Sequence, residues 1–338
     1  MDVAVVILNW NGREHLRTYL PSVVEHSVGA RVIVADNGST DDSADVVTGF
    51  TEVEWLALPE NYGFAEGYNR ALAQIEAEVY VLLNSDVRVT AGWLDAPLAR
   101  LVTDERVAAV QPKVLADQRP DYFEYAGAAG GYLDALGYPY CRGRIFDTVE
   151  RDVGQYDDAV PVDWATGACC FVRAGVWREL GGLDGSFFAH MEEIDLCWRM
   201  RRAGYTCWVE PGSTVYHLGG GTLAYQSPGK TYLNFRNSLT ALVRNVGGIR
   251  LAPKLIARLL LDGVAGLKFL LSGAPAHTWA IVRAHYAFFG RARAARTHRH
   301  VPAVAQPQAA PSVGPVRSIL AAYYVWGRRR FSQLRPGA

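Results

Sequence analysis

Two carboxylates in succession, Glu192 and Glu193, follow the segment "GSFFAH" and open the stretch "EEIDLCWRMRRAGY", in which acids come early and bases late. Paired acids after a Gly- and Phe-rich loop can leave one carboxyl partly desolvated and basic enough to take a proton. The same distribution suits a helix dipole, with Asp195 in the first turn and Arg199, Arg201 and Arg202 later. The two readings are compatible. A second acid, Asp86, ends "YVLLNSD" behind Asn84 and Ser85. At a strand terminus such a carboxylate can bind a divalent cation through a hard oxygen while a diphosphate supplies further ligands; it can equally cap the next helix, and spacing alone favours the cap. A third, Asp36 in "ADNGSTDDS", can accept hydrogen bonds from a base or a ribose hydroxyl, or make an Asx turn ahead of a cap at Asp41 or Asp42. His217 stands before Gly219, Gly220 and Gly221, where backbone could approach a phosphate closely. That run has the spacing of neither a P-loop nor a dinucleotide fingerprint.

The elements that must position these groups are legible in the hydrophobic pattern. Short β-branched runs ("VAVVILNW", "ARVIVADN", "VEWLALPEN", "VYVLLNSDV") alternate with helix-like segments ("REHLRTYLPSVVEH", "GFAEGYNRALAQIEAE"), which predicts a parallel sheet covered on both faces. Ligands of open α/β sheets bind beyond the carboxyl ends of the strands. Four such ends are polar or Gly-rich: "NWNG", "ADNGSTDDS", "PENYGFAEGYN" and "NSD". One would be an ordinary turn; four at one edge look like a site. Residues 112–160 show little sustained periodicity and read as loops and short strands crossing the active face. Dense patterning then returns, with a strand over 168–173, a helix over 174–180, a helix over 193–203 and a strand around 206–209.

Half of the 338 residues are apolar, enough for a sizeable core. Lys plus Arg number 34 and Asp plus Glu 34, so no overall field draws the chain to nucleic acid. Five cysteines, with no C-x-x-C pair and with Cys169 and Cys170 adjacent, fit reduced thiols in a cytoplasm. The start "MDVAVVILNW" lacks the positive charge of a signal peptide. No charge-free window of about 18 residues is present, which argues against an ordinary transmembrane helix. From about Lys230 the chain becomes helical, with wide apolar faces, many bases (Arg244, Arg250, Lys254, Arg258, Lys268) and few acids. Such helices can pack on the core or a second chain, or lie on a membrane surface. The basic flanks favour the membrane.

Taken in order, "VVILNWNG", "VADNGSTDDS", "NYGFAEGYNRAL", "VLLNSDV", "GACCFVRAGVWRELGGLDGSFFAHMEEIDLCWRMRRAGY" and "VYHLGGGT" resemble the family 2 inverting glycosyltransferases of the GT-A fold, especially bacterial rhamnosyltransferase-like members. The likeness runs almost continuously from residue 1 to about 222, and the tail from "NFRNSLTALVRN" resembles their helical extension. It implies an α/β catalytic domain with a Rossmann-like mixed sheet at 1–229, a helical, membrane-associating extension at 230–300, a linker at 301–315 and a basic C-terminal helix at 316–338. It further implies that Asn9 and Asn11 line the nucleotide pocket, that Asp36 binds base or ribose, and that Asn61, Gly63 and Asn69 shape the sugar-nucleotide cleft. Asn84, Ser85 and Asp86 take the place of the family's Asp-x-Asp, with Asp86 on Mg2+ or Mn2+ and His217 a further ligand or diphosphate contact. Trp164, Thr166 and Gly167 border the acceptor. Glu192 and Glu193 stand where the family has Glu-Asp, one of them the general base, with Glu192 preferred. Asn84 departs from the family's first Asp, and Glu193 from its Asp.

The activity implied is transfer of a sugar from a nucleoside-diphosphate donor, dTDP-rhamnose or a UDP-sugar, to a hydroxyl of a cell-surface glycan or lipid-linked precursor at the cytoplasmic face of the inner membrane. A nucleotidyltransferase would also place acids at strand ends, but gives no reason for the glutamate pair. A non-catalytic, membrane-docked carbohydrate-binding protein would turn over no sugar nucleotide.

Overall fold

The computed structural model describes residues 1–219, 227–297, 314 and 316–334. Its elements, in chain order, are β1 (Val3–Asn9), α1 (Arg13–His26), β2 (Arg31–Asn37), α2 (Ser43–Val47), β3 (Val53–Leu58), α3 (Gly63–Leu72), β4 (Val79–Asn84), β5 (Val87–Arg88), α4 (Asp95–Thr103), β6 (Val107–Ala116) and β7 (Arg119–Phe123). Next come four short strands, β8 (Gly131–Leu133), β9 (Pro139–Cys141), β10 (Arg144–Ile145) and β11 (Thr148–Val149), then β12 (Val160–Val162), β13 (Cys169–Arg173), α5 (Ala174–Leu180), α6 (Glu192–Arg202) and β14 (Thr206–His217). Three long helices follow: α7 (Pro228–Asn245), α8 (Leu251–Leu271) and α9 (Pro275–Thr297).

Alternation along the central strands decides which layer each side chain joins. In β1, Val3, Val5 and Ile7 pack with Leu16, Leu20 and Val23 of α1 on one face, while Ala4 and Val6 pack with Ala65, Tyr68 and Ala71 of α3 on the other. Both faces are therefore covered, as all-apolar parallel strands require. The sheet runs β12-β14-β6-β13-β4-β1-β2-β3. Strands β3, β2, β1 and β4 are parallel, and β13 enters antiparallel between β4 and β6. This register aligns the carboxyl ends of three neighbouring strands, because Asn9 pairs with Asp36 and Leu8 with Asn84. Strand β14 continues well past the expected 206–209, shifts register between Glu210 and Thr214, and ends with His217 opposite Val87. His217 is thereby delivered beside Asp86.

The segment read as loops and short strands holds short strands that pair into a second, four-stranded sheet, β11-β10-β9-β8. Strands of two or three residues are too short to show a period. The basic helix expected at 316–338 is not continuous among the described residues. A helical turn at Ala321–Val325 is followed by exposed Arg328, Arg329 and Arg330 and a second short turn at Phe331–Leu334. Gly327, at φ 65°, ends the first turn in the left-handed conformation glycine favours. Phe331 is drawn among the rings of Tyr132, Tyr140 and Tyr156. Apart from position 314, the linker expected at 301–315 lies outside the described residues, as do Gly220, Gly221, 298–300 and 335–338.

Candidate active site

The strand ends form one hydrogen-bonded edge. Asn9 is fully buried; its amide donates to Asp36 Oδ1 at 3.0 Å and to Ser39 Oγ at 3.2 Å. Ser39 N donates to Asp36 Oδ2 at 3.0 Å, Asn11 N to Ser39 Oγ at 2.8 Å, and Thr40 N to Asn11 Oδ1 at 2.8 Å. A side chain at Gly12 would meet Asn9 Oδ1 at 2.3 Å, so glycine is required where the chain turns from β1 into α1. Ser85 lies across that turn, its Oγ 3.5 Å from the same position. On the far side of β2, Asn37 donates to Asn61 Oδ1 at 3.1 Å and to Gly63 O at 3.0 Å. Asn9, Asn11, Asp36, Asn61, Gly63 and Ser85 thus meet at one edge. Ser39 and Asn37, which the sequence reading did not single out, tie them together; both lie within the quoted Asp36 motif.

Asn69 is engaged differently. It donates to Leu183 O at 2.7 Å and accepts from Leu183 N at 3.0 Å. It fixes the wall of the cleft by holding the chain ahead of the glutamates.

Asp86 and His217 are both buried, with Asp86 Oδ1 3.1 Å from His217 Nε2. The other ring nitrogen, Nδ1, lies 3.3 Å from Glu124 Oε2, and the Asn84 amide lies 3.3 Å from Nε2. Burial opposes charge on the imidazole, but the bonds and charges of Asp86 and Glu124 outweigh it and lift the His217 pKa to about 10. Burial likewise raises the Asp86 pKa, and His217 reverses this, leaving it below its usual value. Glu124 was missed because it lies in "DYFEYAG", far from every recognisable motif.

Asp86 offers one hard oxygen that suits a divalent cation whose other positions would be filled by phosphate oxygens and water, whereas His217, protonated between Asp86 and Glu124, would ligate only after a cation displaced its Nε2 proton. Among the described residues no set of three His, Cys, Asp or Glu side chains forms a metal-ligand group.

The glutamate pair lies at the start of α6, beside the segment that leads into β13. Glu193 Cβ lies 3.8 Å from where a side chain on Gly167 would begin, and the neighbouring Ala168 carbonyl accepts from Asn84 N at 2.9 Å. The glutamate and metal sides are therefore joined across the start of β13. Glu192 is buried and Glu193 half-buried. Among the described residues, Oε2 of each has no hydrogen-bond partner.

Burial, then the neighbouring Glu193, pushes Glu192 far above the carboxylate range; burial against Phe64, Cys170 and Cys197 pushes Glu193 up to about 7. The more accessible group with a near-neutral pKa is the better base.

Three expected acceptor residues do not line an open surface. Trp164 is buried and its indole donates to Tyr132 O at 3.1 Å. Thr166 is buried, donating to Ala126 O at 2.8 Å while its oxygen accepts from Ala168 N at 3.2 Å. Gly167 is also buried and packs on Phe64. Trp164 and Thr166 have their polar groups satisfied inside the protein, and of the three Gly167 lies beside Glu193.

A mostly parallel sheet whose polar strand ends gather beside an Asp–His pair is the architecture of a GT-A glycosyltransferase. The chain belongs to glycosyltransferase like family 2, whose sequence profile matches residues 1–245, reaching the end of α7. It is 28% identical over 235 residues to N-acetylglucosaminyl-diphospho-decaprenol L-rhamnosyltransferase of Mycobacterium tuberculosis, covering 63% of this chain and 75% of that protein. Among solved structures it resembles S. aureus TarS 1-349 in complex with UDP-GlcNAc, at a TM-score of 0.55 and 16% identity over 89% of each chain. It also resembles mannosyltransferase PcManGT from Pyrobaculum calidifontis in complex with GDP-Man and Mn2+, at a TM-score of 0.52 and 15% identity, covering 88% of this chain and 83% of that one. Family membership favours sugar transfer over the nucleotidyltransferase and binding-protein alternatives.

Proposed function

We propose that this enzyme transfers a sugar, with inversion, from a nucleoside-diphosphate sugar to a hydroxyl of a lipid-linked or cell-surface glycan. The observation that carries the reading is the gathering of polar strand ends around Asn9 and Asp36, with the Asp86–His217 pair at the end of the neighbouring strand. Asn9, Asn11, Asp36, Asn61, Gly63, Asn84 and Ser85 would hold the nucleotide and sugar. A glutamate, Glu193 by its near-neutral pKa, would accept the proton of the attacking hydroxyl as the anomeric carbon changes partners through an oxocarbenium-like transition state. Asp86 and His217 would hold a Mg2+ or Mn2+ ion, which when bound supplies charge stabilisation to the leaving diphosphate. The rhamnosyltransferase relative supports dTDP-rhamnose as the first donor to try, with UDP-sugars next.

The acceptor reading draws on the tail. Ile256, Leu260, Val264, Leu267 and Leu271 of α8 and Trp279, Tyr286 and Phe289 of α9 are exposed, amid exposed Arg250, Lys268, Arg283 and Arg291. Between residues 246 and 291 the single acid, Asp262, is buried. No helix among the described residues is long and apolar enough to cross a membrane. An apolar face with a basic, acid-free border suits the surface of an anionic bilayer, here the inner face of the cell membrane, where a lipid-linked acceptor would lie.

The test is release of nucleoside diphosphate from a panel of sugar nucleotides, with Mg2+ or Mn2+ and with and without a lipid-linked acceptor. Turnover of one donor that is lost in Glu193→Gln supports the reading; silence with every donor and acceptor refutes it. Sedimentation with anionic liposomes tests the membrane face, and failure to bind refutes that part alone.

A further inference from the structure

We propose that two Arg-Asn pairs on α7, Arg236-Asn237 and Arg244-Asn245, are positioning residues that hold the loop preceding Glu192 and Glu193 in its working conformation. This rests on the reading of those glutamates as the proton acceptors. The C-terminal region would then contribute to catalysis through its first helix, whatever α8 and α9 bind.

The loop has unusual needs. Phe188, His190 and Met191 have φ of 65°, 68° and 76°, a left-handed conformation that non-glycine residues adopt at a cost. Three such residues within four positions cannot form a hydrogen-bonded ladder, so the carbonyls must find other donors. Asn237 Nδ2 lies 3.0, 2.9 and 2.8 Å from the carbonyl oxygens of Phe187, Ala189 and His190. With two hydrogens for three acceptors, the amide shares its bonds.

Arg236 Nη2 donates to the carbonyls of Ser186 at 3.2 Å and Phe187 at 2.9 Å. Its Nε donates to Asn237 Oδ1 at 2.8 Å, which fixes the amide with its hydrogens toward the loop. The remaining carbonyl, that of Phe188, accepts from Phe64 N at 2.8 Å at the start of α3.

The second pair holds the acids at either end of the loop. Arg244 is paired with Asp184, and Asn245 donates to Asp195 Oδ1 at 2.7 Å, while Arg199 Nε donates to Asp195 Oδ2 at 2.8 Å. Asp195 sits in the first turn of α6, one turn from Glu192. All four α7 side chains are buried. A helix needed only for packing would bury apolar residues here; this one buries two guanidinium groups and two amides against main-chain oxygens and carboxylates.

The experiment compares Asn237→Asp and Arg236→Lys with the wild-type full chain. Asn237→Asp keeps the shape but turns a donor toward carbonyls into an acceptor. Expected are a loss of roughly 10²-fold in kcat, as for a small misplacement of a reacting group, and a donor KM within about twofold of wild type. Amide exchange should accelerate in peptides spanning 183–195 while β1 and β2 keep their protection. Arg236→Lys, which keeps the charge without the fork, should fall between the two. If Asn237→Asp does not fold, Arg236→Lys is read alone.

Unchanged exchange over 183–195 overturns the proposal whatever the activity, and so does a uniform loss of protection in both variants, which would make the role one of global stability. Turnover that survives Glu193→Gln in an otherwise wild-type chain would instead overturn the base assignment, leaving the exchange result to judge the brace.

Discussion

The two walls of the cleft are held by different means. On the side proposed to hold the nucleotide, Asn9, Asp36 and Asn84 sit at the ends of adjacent parallel strands whose backbone bonds fix their spacing before any side chain acts. On the glutamate side, the chain from Asp184 to Met191 is irregular, and side chains of a helix some fifty residues later satisfy its carbonyls. A wall built on a ladder should lose binding when one side chain is altered and keep its shape. A wall built on side-chain bonds should lose shape and chemistry together.

The largest effect should come from the glutamate wall. Glu193→Gln should lower turnover by about 10²–10⁴-fold, the usual contribution of a general base, with nucleotide affinity little changed by calorimetry. Glu192→Gln should lower it less, and the reverse order would restore Glu192 as the base. Next, Asp86→Ala should cost roughly 10²-fold or more through the lost cation and should weaken Mn2+ binding, followed by the spectrum of the free ion. His217→Ala should do the same to a smaller extent.

The pH profile separates the walls again. Because burial raises the Glu193 pKa to about 7, the base is protonated in acid, and turnover should fall as pH drops through that value. The inflection should vanish in Glu193→Gln and persist in Asp36→Asn.

The smallest effect is on stability. A folded-state pKa raised above the unfolded value, as in Glu192, contributes stability that is complete below the unfolded pKa and lost as pH rises through the folded one. Glu192→Gln should therefore melt a few degrees above wild type at pH 8, with the difference gone near pH 4. An equal shift at both pH values would point to packing instead of charge.

Legibility in the sequence followed the same division. The helix at 174–180 and the strand ending at Arg173 were read within a residue of where they lie, because short elements with a clean period are local. The strand-end residues were legible for the same reason, since the polar termini of consecutive strands must gather at one edge of a parallel sheet. Trp164 and Thr166 read as acceptor contacts from residue type, which gives chemistry but not exposure, and both are buried. Their partners, Tyr132 and Ala126, lie dozens of positions away. Glu124 was invisible because only the extended β14 carries His217 to it.

The sequence by itself determined a family 2 glycosyltransferase: its strand periodicity, its polar strand ends and its ordered motifs are properties of short segments. Tertiary structure alone decided that Glu193 is the more accessible of two adjacent acids, that a histidine bridges Asp86 and Glu124, and that α7 grips the glutamate loop. The physical reason is that pKa and hydrogen bonding depend on desolvation and on distances of about 3 Å, and those are set between residues the chain brings together only when it folds.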